Sequence, residues 1–278
     1  MSGNHDGVGE ELLAALRREG LDGVDRAFAY RQGADLDKPG LGRRRRTRIE
    51  IATDDGRTHV LYLKRYGRQA VLAALRRWLT HGRRASAARI EYENILAARE
   101  AGVPTMRAAA WGAEPCPIGA LRSYLIVTAV PGEAMERCFE AFLARHGDDG
   151  RAAEVTVGLA RLVRALHDAG YVHRDLYASH VFLDDAGGPP TLHLIDLARM
   201  FRPRLRTARW YVRDLAQLKH SMPASWVAGH WRAFLAEYLP GVSDEAAGRF
   251  DRRVDRKVAS IRRHDERRRR RREGGPRA

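Results

Sequence analysis

Cysteine is almost absent: Cys116 and Cys138 are the only two in 278 residues. That excludes a disulfide-built scaffold, and two thiols so far apart in sequence form neither a C-x-x-C redox pair nor a zinc site; both suit a reducing compartment. Long apolar runs are missing as well. The longest, around residues 124–130, falls far short of the ~20 residues that a spanning helix needs, and mean hydropathy is −0.47. The opening MSGNHDGVGEE has neither the cationic region nor the apolar stretch of a secretory signal, so a cytoplasmic location is expected. Aromatics make up 8% of the chain, and none lies in residues 252–278, which argues against base-stacking recognition of nucleic acid there.

What is present is enough for a folded protein. Hydrophobic residues reach 44% and charged residues 31%, so the chain buries a core without staples, as one large domain or two modest ones. The formal charge is +15, and residues 252–278 carry 13 Lys or Arg against 4 Asp or Glu. The basicity is therefore concentrated. Such a segment attracts a polyanion: nucleic acid, an anionic membrane surface or a phosphorylated glycolipid.

Patterning divides the chain. Residues 47–53 (TRIEIAT) alternate with period two, a DDG turn follows, and residues 58–64 (THVLYLK) form a second β-rich run, together a hairpin ending at Lys64. Helical patterns cover residues 69–79 and 85–101, the latter stopped by Gly102 and Pro104. Strand-length runs follow at residues 106–111 and 123–128. After Pro131-Gly132 the pattern turns helical, at residues 133–146, 152–169, 209–220, 224–238 and 243–263, interrupted by a short hairpin from residues 181–183 and 191–195 around DDAGGPP. The expectation is an α+β, two-lobed fold: a small antiparallel sheet with one main helix in residues 1–130, a helical lobe in residues 131–262, and a disordered basic tail in residues 263–278 that carries six consecutive arginines. Trp78, Trp226 and Trp231 are read as core side chains rather than sugar platforms.

The sharpest local signal is residues 171–183, YVHRDLYASHVFL. It looks like a kinase catalytic loop, H-R-D-L-x-x-x-N, in which the Asp accepts the proton of the attacking hydroxyl and the residue five places on reaches a magnesium ion. Here those are Asp175 and His180, with His173 and Arg174 completing the catalytic tripeptide. Twenty-one residues after Asp175, in LIDLA, Asp196 ends an apolar strand where a kinase carries the metal-binding Asp of D-F-G. Upstream, Lys64 ends LYLK like the phosphate-binding lysine of V-A-I-K, and Glu91 in the following helix is its candidate partner, with Glu93 as the alternative. Gly40 and Gly42 in KPGLGRRRR offer a weak match to a Gly-rich phosphate loop, and Thr128 at the end of its strand is a further candidate nucleotide contact. ATP and Mg²⁺ are the cofactors this order implies.

The departures are informative. Tyr177 stands where Ser/Thr kinases often carry lysine, His180 replaces Asn, and D-L-A replaces D-F-G. HRDLYASH…LIDLAR resembles the lipopolysaccharide kinases of Gram-negative bacteria, which phosphorylate core heptose or Kdo and whose loop similarly reads H-R-D-x-Y-x-x-H. The likeness runs from about residue 43 to residue 238 and includes YLKRY at 62–66, AGVPT at 101–105 and DLA at 214–216. It implies transfer of a phosphoryl group from ATP to a sugar hydroxyl of an anionic glycolipid. It also implies support of the catalytic-loop backbone by Asp214, and it suits peripheral contact of the Arg-rich tail with an anionic membrane. A kinase of a protein or small-molecule acceptor, or an impaired scaffold binding acidic partners through the tail, uses the same residues.

Overall fold

A computed structural model describes residues 8–36, 44–67, 86–116, 119–146 and 150–273. The helical pattern at residues 69–79, with Trp78, lies outside the described residues. The chain divides into two compact units, Met1–Glu100 with Thr105–Val130, and Ala101–Pro104 with Pro131–Ala278.

The first unit is built on a five-stranded antiparallel sheet of β1 (Ala34–Asp35), β2 (Arg44–Ala52), β3 (Thr58–Tyr66), β4 (Ala108–Cys116) and β5 (Gly119–Thr128), in the order β1-β2-β3-β5-β4. The hairpin read from TRIEIAT and THVLYLK is β2–β3, in register from Arg44 opposite Tyr66 to Ala52 opposite Thr58. Period-two alternation sends Leu61, Leu63, Ile49 and Ile51 to one face, where they form a core with Leu12, Leu16 and Leu21. Those leucines come from a segment to which the sequence reading gave no structure, α1 (Glu10–Arg18), α2 (Val24–Ala29) and their connection. Helix α1 has acids in its first turn and arginines in its last, as the helix dipole favours. The helix α3 (Ala87–Glu100) contributes buried Glu91, Tyr92 and Ile95 and contacts β3, β4 and β5.

The second unit holds α4 (Met135–His146), α5 (Arg151–Asp168), α6 (Thr207–Ser221), α7 (Ala224–Tyr238) and α8 (Asp244–Glu273), with a small sheet of β6 (Glu133–Ala134), β7 (Val181–Asp184) and β8 (Thr191–Leu194). Gly132 makes the entry to β6 possible: its φ is +78°, and a Cβ there would stand 2.1 Å from the Leu183 carbonyl oxygen, so only glycine fits. Trp226 is fully buried and Trp231 nearly so; Trp226 meets Phe139 and Phe234 edge-on, Trp231 stacks on Phe234, and the Trp226 indole donates to Thr156 Oγ1 at 2.9 Å. Both are core, as their helical spacing indicated.

The expectation of a disordered tail from residue 263 does not hold for the residues described, because α8 continues to Glu273. Arginine is a good helix former and cations suit a helix C-terminus. The helix is anchored through buried Val254 and Val258 and through Lys219 of α6, which pairs with Asp251 at 3.2 Å and Asp255 at 2.6 Å. No helix among the described residues is long and apolar enough to cross a membrane.

Candidate active site

In the first unit the strand geometry brings two candidates together. Lys64 and Tyr66 are two apart on β3, so both side chains leave the same face, and both bond the carboxylate of Glu91: Lys64 Nζ to Oε1 and the Tyr66 hydroxyl to Oε2. Glu91 has no exposed surface and the Lys64 side chain is 9% exposed. Glu93, the alternative partner, instead points outward and pairs with Arg89 one turn away. The intervening Arg65 faces the opposite side, where it bonds Thr47 and the Tyr30 carbonyl, and burial pushes its guanidinium pKa down. Thr128 uses its hydroxyl oxygen to accept the Arg107 N–H at 3.0 Å. Gly40 and Gly42 lie outside the described residues.

The second unit assembles the loop around Asp214. This α6 carboxylate is wholly buried and accepts two consecutive backbone amides, His173 N–H at 2.6 Å and Arg174 N–H at 2.9 Å. Its Oδ2 also faces His167 Nε2 at 3.4 Å, while His167 Nδ1 lies 2.7 Å from the Tyr238 hydroxyl. Burial pushes the Tyr238 pKa upward, so its phenol stays a donor to Nδ1 and the imidazole turns its N–H to the carboxylate. Both amides can reach one carboxylate only if the chain turns sharply, and Arg174 is left-handed at φ 72°. That conformation costs about 1–3 kcal/mol, less than the two bonds to a charged acceptor return at roughly 1.5–3 kcal/mol each. The Arg174 guanidinium lies over the rings of Phe201 and Trp210.

A second set of bonds joins this loop to the strand-end segment. Val172 and Phe201 exchange backbone bonds at 3.0 and 3.1 Å, and His173 Nε2–H donates to the Ile195 carbonyl at 2.9 Å. His180 Nδ1–H donates to the Asp175 carbonyl at 2.7 Å, which turns Nε2 toward Asp196 Oδ2, 3.6 Å away. Asp196 is itself left-handed at φ 62°, a conformation Asp tolerates better than most residues. The Asp175 carboxylate is capped by Arg199, whose Nη1 stands 2.8 Å from both oxygens. Sequence reasoning gave Arg199 no role although it ends the LIDLAR run. The available signal was its position one short turn beyond Asp196, in a 3₁₀ turn at Leu197–Arg199. Gln217 on α6 donates to the Tyr177 hydroxyl at 3.1 Å, fixing the tyrosine that departs from the Ser/Thr kinase pattern.

Burial, partly opposed by the attraction of Asp214, holds the His173 pKa below its ordinary range. The native imidazole therefore stays neutral while the unfolded one takes up a proton near pH 6.5. Its contribution to stability is fully present above about pH 6.5 and is lost as pH falls from there through the depressed native value. Unfolding free energies measured between pH 8 and pH 5 should decline on the acid side, and the His173 ¹⁵N resonances should show an unchanging Nε2–H tautomer down to pH 6. Asp214→Asn should destabilise the chain by about 3 kcal/mol in denaturant titration, since an amide NH₂ then faces a buried backbone N–H.

Three comparisons place this geometry among known proteins. The family model described as lipopolysaccharide kinase (Kdo/WaaP) family matches residues 13–238. The lipopolysaccharide core heptose(I) kinase WaaP of Pseudomonas aeruginosa is 31% identical over 140 residues, which cover 48% of this chain and 52% of that protein. The match thus spans about half the length of the curated relative. A solved structure of WaaP in complex with acyl carrier protein superposes with a TM-score of 0.65 at 22% identity, over 92% of this chain and 99% of that one, a likeness of fold. Because the family match takes in most of the sequence and both candidate sets of residues, the chain belongs to the lipopolysaccharide kinase (Kdo/WaaP) family.

Proposed function

We propose that the chain is an ATP-dependent kinase that transfers a phosphoryl group to a sugar hydroxyl of a lipopolysaccharide core, heptose or Kdo. The observation that carries the reading is the loop fixed by Asp214 through the His173 and Arg174 amides, which sets Asp175 directly after a rigid turn. Family membership favours a core sugar over a protein or small-molecule acceptor.

On this reading Lys64 neutralises phosphate charge on the nucleotide, and Glu91 holds the ammonium in place with help from Tyr66. Asp175 accepts the proton of the sugar hydroxyl. A carboxylate suits that task because its ionised form only accepts. Arg199 caps both Asp175 oxygens through Nη1; the carboxylate keeps further lone pairs for an acceptor hydroxyl, and the remaining N–H groups of the guanidinium can pair with phosphate oxygens, a geometry it matches well. With Tyr177 in place of lysine, Arg199 supplies a cation beside Asp175.

The donor set fits Mg²⁺ through Asp196, since this ion takes one or two carboxylates and completes its shell with water and phosphate oxygens. Among the described residues no group of three or more His, Cys, Asp or Glu forms a metal site by itself. The bound ion supplies neutralisation of charge on the transferring phosphate. His180 Nε2 is a poor ligand for so hard an ion; with Nδ1 committed to the Asp175 carbonyl, the ring instead supports the loop next to Asp196. A cytoplasmic, peripherally membrane-associated protein agrees with an anionic glycolipid acceptor and with the basic C-terminal segment.

Transfer from labelled ATP to purified lipid A-core glycolipids, with free sugars and proteins in parallel, should show label in the glycolipid. Asp175→Asn should lower the rate roughly 10²- to 10⁴-fold with nucleotide affinity nearly intact. Lys64→Met should weaken nucleotide binding in calorimetry. An active Asp175→Asn enzyme would remove the general base from this assignment.

A further inference from the structure

The segment leading into α6 ends in Arg204-Leu205-Arg206. Leu205 is 80% exposed, far more than Leu36 at 37% or Val242 at 43%, the other large apolar side chains standing in solvent among the described residues. A single exposed leucine is ordinary. Its surroundings are not. Leu205 borders a cavity lined by Arg206, Arg209, Trp210, Arg213 and Lys257, with no carboxylate in its wall. Arg206, Arg209 and Arg213 fall on one face of the α6 start, at spacings of three and four, where like charges repel. None of the four cations has an ion-pair partner among the described residues. Arg206, next to Leu205, is moreover held left-handed at φ 56°. Further along α6 Lys219, by contrast, pairs with Asp251 and Asp255.

Four cations without an ion-pair partner, Arg213 among them lying over the Trp210 ring at 5.7 Å, surround a hollow with an apolar lip and match a surface that offers phosphates at one depth and hydrocarbon just beneath. We propose that the 204–206 turn and the Arg-lined cavity beside it form a docking site for an anionic phospholipid surface. Leu205 enters the acyl boundary, while the guanidinium forks of Arg206, Arg209 and Arg213 take headgroup phosphates. Lys257 belongs to α8, so the site is continuous with the helix whose later turns carry the arginine run. This extends the membrane contact suggested above from a charged tail to a built site, and it requires no phosphoryl transfer.

Flotation of the full chain without nucleotide tests it, using vesicles of equal parts phosphatidylcholine and phosphatidylglycerol against phosphatidylcholine alone. The chain should float with the anionic vesicles only. The triple variant Arg206→Glu, Arg209→Glu, Arg213→Glu should weaken that binding roughly tenfold or more. The same charge change at Arg267, Arg268 and Arg269 should weaken it less. Leu205→Ser, which keeps the charge and sits in solvent, should lower it several-fold and serves if the triple variant does not fold. Equal losses in the two triple variants, or full binding by Leu205→Ser, would overturn the proposal. So would loss of binding to polyglutamate by the cavity variant with vesicle binding intact, which would assign the cavity to an acidic protein. Because no ATP is present, a negative result here leaves the kinase reading standing, and an inactive kinase leaves this one standing.

Discussion

A carboxylate without exposed surface is among the most expensive groups a fold can carry, and Asp214 is tolerable only because its oxygens are met by hydrogen-bond donors. Two of those donors are the consecutive amides of His173 and Arg174, and a third partner is His167. The arrangement works in both directions. The carboxylate needs the amides, and the amides can point at it only while Arg174 holds a left-handed backbone. That turn then decides how Asp175 leaves the chain. The His173 ring bonded to the Ile195 carbonyl, together with the Val172–Phe201 bridge, ties the same loop to the segment carrying Asp196. One buried charge on α6 thus sets the backbone of the residues assigned to proton transfer and metal binding.

In the first unit the equivalent constraint is strand alternation. Lys64, Arg65 and Tyr66 are consecutive on β3, and their directions are dictated by the pleat. Lys64 and Tyr66 converge on Glu91, whereas Arg65 turns toward Thr47 and the Tyr30 carbonyl. Moving the register by one residue would exchange these partners and bury cations without acceptors. The hairpin is therefore specified twice, by the apolar residues Leu61 and Leu63 and by the polar ones.

This explains what could be read in advance. The β2–β3 hairpin, the ends of α7 and the Lys64, H-R-D and Asp196 order depend on local period and spacing, and these are visible in a string of residues. The choice of Glu91 over Glu93 was already open at that level, and burial decides it, because only one of two residues two apart on a helix faces the sheet. Helices α1 and α2 were missed because no motif marked them; Leu12, Leu16 and Leu21 find their partners some 30 or more residues away, on β2, β3 and β5. Arg199 escaped for the same reason. Its importance comes from lying against Asp175, 24 residues back, a relation that spacing alone does not encode. The basic tail was misjudged because a run of six arginines suggests a solvated coil, whereas helix propensity and the upstream anchor carry the helix through it.

The charge of +15 acquires meaning only through its distribution. Several arginines are absorbed structurally: Arg65 beneath the sheet, Arg174 against two aromatic rings, Arg199 on a carboxylate. In isolation a helix as basic as α8 is weakened by repulsion among the like charges of its later turns. It is held instead by its first half, where Val254 and Val258 are buried and Asp251 binds both Lys219 and the Trp231 indole. Up to Val258 the helix carries four acids against five Lys or Arg, and beyond it three acids against eight arginines, so the surplus sits in the later turns. Tertiary packing therefore supports one end of the helix so that the other can carry a charge density it would not sustain alone. A surplus confined in this way is no general device for solubility; it raises the local potential for an anionic surface without compromising the buried ion pairs on which the rest of the fold depends.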